Sequence, residues 1–304
     1  MTITDELAPL APPDHRLQLE DLVAKHGRRA VVNAAMTALM ALSVVAILIP
    51  LAAVLYTLVS KGASVLSVDF FTKDIPIVSR AKGPGMGPAI VGTVLITTVA
   101  AVMAVPVGIL AAVYLTEYSA GSRFGRTVRF LATVMTGVPS VVMGLFVYVL
   151  YTLRYGQNAF GGSLALAFLM LPIIIRSTEE MLKLVPTNLR EASAALGARQ
   201  SRAIVGVVLP AALPGVVSGC LLAIARAAGE TAPILFVVGA SNTVNTNLFH
   251  HVNTALSAQI FTNANSPFVG PQQRAWGAAL TLVMLAFAIT LIARVITARF
   301  ALKK

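Results

Sequence analysis

The chain has 304 residues, 57% of them apolar and only 12% charged, against roughly 45–50% and about 25% in an ordinary soluble domain. That balance excludes a soluble globular protein and assigns the chain to the membrane. The formal net charge of +11, from 23 Lys and Arg against 12 Asp and Glu, reads as membrane topology and attraction to anionic lipid, with no nucleic-acid partner.

Residues 1–29 carry mixed charges with Pro12 and Pro13, and are expected to form a tail. They are too long and too acidic for a cleaved signal peptide, and the apolar run behind them exceeds an h-region, so the first span should stay as an anchor. Charge-free windows follow at 30–60, 83–116, 130–153, 155–175, 203–225 and 275–293. Each holds the ~20 apolar residues that a span needs. The expected fold is therefore all-α, with six spans over 30–298 and a short tail at 299–304. With the N-terminus inside, sixteen Lys and Arg fall on the inner side and six on the outer, which puts both termini in the cytoplasm.

In the third window, Pro139 and Ser140 predict a kink whose freed backbone the hydroxyl satisfies; lining a pathway is the alternative. Arg176 ends the fourth window with Glu179 and Glu180 on its face. Snorkelling with local pairing accounts for it, and a pathway role is the alternative.

The inner loop over 186–210 reads PTNLREASAALGARQSRAIVGVVLP. Asn188 is placed to cap a short helix, with Glu191 three residues on as in a capping box, and Gly197 to end it in the left-handed conformation. A second short helix should run on to Pro210, so that the pair lies at the inner surface.

The fifth window runs into LLAIARAAGETAPILFV. With a helix beginning near Pro214, Arg226 lies ~18 Å along the axis, near the midplane, where arginine costs ~2.5–3.5 kcal/mol by insertion scales and faces a bundle interior or a wet cavity. Glu230 follows at i+4 and can pair with it. Gly229 weakens the helix and Pro233 removes a hydrogen bond, which predicts a break of the kind tolerated where helices line a cavity. The rival reading is a buried ion pair that locks helices.

Beyond it, Leu248, Phe249, Val252, Leu256 and Ile260 recur at helical spacing within the outer stretch 240–273, suggesting an amphipathic helix against the bundle mouth or a binding protein. His250 and His251 lack a nearby carboxylate or cysteine, so no metal is expected. Cys220, the one cysteine, reads as a packed small residue. No GxxxxGK[ST], HExxH, CxxC or GxSxG pattern occurs, so no catalytic residue and no cofactor are expected.

The spacing Glu191-Ala192, Gly197, nine residues, Val207, one residue, Leu209-Pro210 resembles the EAA loop of ABC importer permeases, with Ser193 and Val207 as small departures. GTVLITTVAAVMAVPVGILAAVYLTEY, TGVPSVVMGLFVY, LPIIIRSTEEML and ARAAGETAPILF are similar to the phosphate branch of those permeases, its PstA and PstC subunits, and ALSAQIF is more similar to the PstA side. Coverage is roughly 30 to 295.

The resemblance implies two separate ATPase subunits docked on the loop, a second permease subunit, and an extracytoplasmic phosphate-binding protein at the outer face. Glu191, Ala192, Gly197, Leu209 and Pro210 would form the docking element. Guanidinium suits phosphate, since its planar fork matches two oxygens, and Glu230 would be a competing partner that reclaims Arg226 when the anion leaves. An ion-coupled secondary carrier, or a permease for sulfate or molybdate, is the alternative.

Overall fold

The computed structural model describes residues 28–78, 83, 85–119 and 121–301. The expected tail over 1–27, the last residues 302–304, and Arg80 and Lys82 of the outer charge count lie outside the described residues. Among the described residues every regular element is helical. The chain divides into two compact units, one ending at Tyr56 and one running from Thr57 onward.

Helix α1, Arg28–Ala63, runs through the boundary between them. In the first unit its residues 30–56 are exposed throughout, and apolar side chains on every face suit a helix solvated by lipid. In the second unit its last turns pack inward: Leu58 is buried, and Lys61 lies 4.9 Å over the Trp276 ring.

The second unit begins with the short α2, Val68–Thr72, whose N-cap Ser67 accepts from the Phe70 N–H. Then come α3, Gly87–Tyr118, and a bent pair, α4, Arg123–Gly137, and α5, Ser140–Tyr155. After them run α6, Ala159–Lys183, and α7, Thr187–Ala195. The long α8, Gln200–Ala228, leads into the short α9, Ala232–Val237. Finally α10, Leu256–Ala264, precedes α11, Val269–Ala301. Among the described residues five helices are long and apolar enough to cross a membrane, or six if the bent pair is one span, which accords with the six windows.

Helix α6 is central, with 61% of its apolar window buried. Its first half is built from Ala159, Gly161, Gly162, Ser163, Ala165 and Ala167, all buried. Small residues let neighbouring backbones approach, which is how helices associate where no hydrophobic driving force exists between them. On one side α3 comes so near that a Cβ on Gly108 would meet Ile174 Cγ2 at 2.6 Å. On another, α8 runs antiparallel to α6, with Gly219 against Ser177 and Gly215 against Met181.

Four expectations need correction. The third window is no unbroken helix: Val138, biased away from helix by the following proline, is extended, and the axes turn by 107° between Gly137 and Ser140. The fifth helix begins at Gln200 and not near Pro214, so the loop's second short helix is the foot of a long one, joined through a π turn at Ile204–Val208. Pro210 has no N–H to give to a carbonyl four residues back, and the π turn is where the ladder is re-spaced.

The capping box is also absent. Pro186 is the N-cap, with no side-chain cap, so Asn188 already sits inside α7. In the outer stretch, Leu248, Phe249 and Val252 lie outside α10. There Asn245 donates to the carbonyls of His250, His251 and Val252, and Asn247 accepts from the N–H groups of Phe249 and His250. Asparagine side chains thus take the backbone partners that a helix would have needed. The loop is tied to neighbouring helices: Phe160 N–H donates to Leu248 O at 2.8 Å, and Leu256 N–H to Thr93 Oγ1 at 2.8 Å.

Candidate functional site

Two helix breaks meet beside the middle of α6. The first is the elbow at Val138 and Pro139. The second lies where α8 stops at Ala228, Gly229 and Glu230 turn by N–H bonds to Arg226 O and Ala227 O, and α9 restarts with Pro233 in its first turn. Gly229 and Pro233 thus produce the expected interruption. The broken helices touch: a Cβ on Gly144 of α5 would lie 2.5 Å from Pro233 Cα. Pro172, inside α6, faces the same place.

Between them is a cavity of about 290 Å³, lined among others by Pro139, Ser140, Met170, Pro172, Arg226 and Glu230. Arg226, Glu230 and Ser140 are therefore brought together, whereas Arg176 is outside. Ser140 lines the cavity from the first turn of α5, for which Pro139 is the N-cap. The register of α8 on α6 brings Arg226 level with Met170 to Ile173, about 20 Å from the start of α6 at Ala159. Arg226 is itself about 39 Å beyond Gln200, so the depth estimated from Pro214 used the wrong starting point, yet mid-bundle remains the position.

The Arg226–Glu230 contact is loose. Nε to Oε1 is 3.9 Å, and the side chains are 71% and 21% exposed. A buried lock would show charge-assisted bonds near ~2.7–2.9 Å, and exposed pairs contribute only about 0–1 kcal/mol. Glu230 is held from behind, where Ser257 Oγ donates to its backbone carbonyl at 2.9 Å. Arg226 stands in the last turn of α8, where the helix dipole favours a cation.

Arg176 donates Nη2 to Thr133 Oγ1 at 2.9 Å and does not pair with Glu179. Glu179, 5% exposed, is instead held by Arg129 and Lys183, each at 2.8 Å. The Lys183 pair is legible as an i,i+4 spacing; Arg129, fifty residues away, gives no local signal.

The 186–210 loop presents a different surface. Glu191 and Ala192 are exposed and Leu196 is 89% exposed, whereas Ser193 turns inward. Gly197 has φ +76; its N–H donates to Ala194 O and the N–H of Ala198 to Ser193 O, the two bonds of a Schellman motif. No atom lies within 4 Å of where its Cβ would be, so the dihedral and not space requires glycine. Leu209 and Pro210 lie within α8.

A helical bundle crossing the membrane several times, with broken helices around a mid-bundle cavity that holds an arginine and a glutamate, defines a permease. Residues 104–302 match the family described as the binding-protein-dependent transport system inner membrane component. The chain is 43% identical over 273 residues to the phosphate transport system permease protein PstA 1 of Mycobacterium tuberculosis (strain ATCC 25618 / H37Rv), covering 88% of each chain. It is 38% identical over 263 residues to PstA of Haemophilus influenzae, covering 86% of this chain and 92% of that one. Among solved structures, the inward facing MetNI methionine ABC transporter matches with a TM-score of 0.59 at 21% identity, over 70% of this chain and 94% of that one, a likeness of fold. The chain belongs to the PstA family of phosphate transport system permeases, within the inner membrane components of binding-protein-dependent systems.

Proposed function

We propose that the chain is the transmembrane permease subunit of an ABC importer that carries inorganic phosphate into the cytoplasm. The observation that carries this reading is the largely exposed Arg226 guanidinium, opening into a cavity of about 290 Å³ at two helix breaks. A water occupies ~30 Å³ of liquid, so the cavity has room for a phosphate with part of its hydration shell. Arg226 offers a fork of donors to two phosphate oxygens. The uncapped N-terminus of α5 at Ser140 adds backbone N–H groups, as half-helix N-termini do for anionic substrates. Glu230, 3.9 Å away, competes for the guanidinium and keeps the site weak enough for the ion to leave.

The excess of Lys and Arg on one side supports cytoplasmic termini. In that orientation the 186–210 loop faces the cytoplasm and offers Glu191, Ala192 and Leu196 to ATPase subunits, two per transporter. A second permease subunit completes the pathway, and a phosphate-binding protein delivers at the end that bears 240–273. Glu191→Lys or Gly197→Asp should spare membrane insertion while weakening ATPase attachment and transport. Cysteines placed at Ser122 or Ser201 in a Cys220→Ala background should resist an impermeant thiol reagent in intact cells, and those at Ser241 or Ser266 should react; the opposite sidedness would overturn the orientation.

The experiment that tests the whole reading is reconstitution of the native complex with its ATPases and binding protein. ATP-dependent phosphate uptake is expected. Uptake driven by a proton or sodium gradient without ATP would point to a secondary carrier, and preference for sulfate or molybdate would reassign the substrate.

A further inference from the structure

Of the charges within 186–210, the most deeply engaged is not in the docking spacing at all. Arg190, immediately before Glu191, turns away from the exposed face of α7. Its Nη1 donates to Val185 O at 2.6 Å, and its Nη2 to Leu182 O at 2.9 Å and to Glu117 Oε1 at 3.0 Å. The first two bonds tie Arg190 to carbonyls in and just after the last turn of α6, where Leu182 O also accepts from the Val185 N–H at 3.3 Å. The third reaches Glu117, on the π turn Tyr114–Tyr118 that closes α3, whose side chain is only 9% exposed. From the other side, Gln200 at the foot of α8 donates Nε2 to the Glu117 carbonyl at 2.7 Å. The ends of α3 and α6, the whole of α7 and the start of α8 therefore converge on one arginine and one glutamate.

We propose that the Glu117–Arg190 pair is the positioning joint through which movement of the docking helix α7 reaches the membrane helices; this rests on the docking reading of the preceding subsection. Helix α7 is linked along the chain by Leu184–Pro186 and by the turn at Leu196–Arg199, and it packs on the foot of α8 with Ser193 buried. Without the joint it could tilt under a bound ATPase and leave α3 and α6 in place. With it, a displacement of α7 pulls α6, which carries Pro172 in the wall of the cavity, and α3, which packs along α6. The π turn suits the task, because a locally re-spaced helix offers a carboxylate at an angle that a regular turn would not.

The test uses the reconstituted complex with Glu117→Gln, Arg190→Gln, and the charge exchange Glu117→Arg with Arg190→Glu. Three quantities are read: ATPase subunits retained on co-purification, ATP hydrolysed, and phosphate taken up per ATP. A joint predicts that the single variants keep their ATPase and still hydrolyse ATP while uptake per ATP falls about fivefold or more, the usual scale of a coupling energy. The charge exchange should recover part of that ratio. If the complex forms and uptake per ATP is unchanged, the joint is overturned; if complex yield falls while the ratio holds among the complexes that remain, the pair is structural only and the proposal is likewise overturned. Failure of the docking reading looks different: Glu191→Lys would then leave ATPase attachment at the wild-type level.

Discussion

Two clusters of charge inside the bundle are built in opposite ways. At the 186–210 end, Glu117 and Glu179 are 9% and 5% exposed, and each is gripped by arginine at 3.0 and 2.8 Å. Beside the middle of α6, the same two residue types stand 3.9 Å apart, with the arginine 71% exposed. Buried carboxylates need their partners, because an unpaired charge in a low dielectric is costly. An arginine left facing a cavity remains free for a substrate. Fixed pairs hold helices, and the uncommitted one is available for transport.

The comparison breaks most sharply if the gripped carboxylates prove dispensable. Removing both cations from Glu179, by Arg129→Ala with Lys183→Ala, strands a buried carboxylate and should cost about 3–5 kcal/mol; either change alone leaves one partner and should cost much less. Thermal unfolding of the purified chain checks this, and Arg226→Ala in the same assay should cost under about 1 kcal/mol. A smaller effect is expected where the two breaks touch. Gly144→Ala drives a Cβ to 2.5 Å from Pro233 Cα, an overpacking cost of about 1–3 kcal/mol, and phosphate uptake should suffer beyond the loss of stability because the cavity wall moves. A neutral Gly144→Ala would mean that the breaks are not in rigid contact. Among the glycines the smaller effect is expected at Gly197, where open space surrounds the absent Cβ but φ is +76. Gly197→Ala should cost about 1–2 kcal/mol and Gly197→Asn less, since asparagine tolerates the left-handed region, read as protease sensitivity of the 196–199 turn.

Much of this was legible because proline and glycine act locally. Gly229 with Pro233 marked the second break, Pro139 the elbow, and Gly197 the end of α7, and the charge-free windows located the helices. The magnitude of the elbow was not legible: proline frees the backbone, whereas the 107° turn is set by α5 lying against α9. The start of α8 was missed because Pro210 read as a helix end and Pro214 as a helix start, and a π turn that absorbs a proline leaves no pattern in sequence. Asn188 and Glu191 had capping-box spacing, but Pro186 began the helix first. The ion pairs that hold the bundle end, Arg129 with Glu179 and Arg190 with Glu117, join residues 50 and 73 apart, beyond any local periodicity. In the site, residue types were readable and their looseness was not, since pairing distance depends on where the break turns Glu230.

The central claim is that Arg226 handles the substrate and does not merely hold Glu230. The most direct measurement is phosphate uptake by the reconstituted complex that carries Arg226→Gln together with Glu230→Gln, which removes both charges and leaves no unpaired ion to confound assembly. The account predicts a complex assembled at the wild-type level with uptake abolished. Robust phosphate uptake by that double variant would contradict it and reduce Arg226 and Glu230 to a helix clamp.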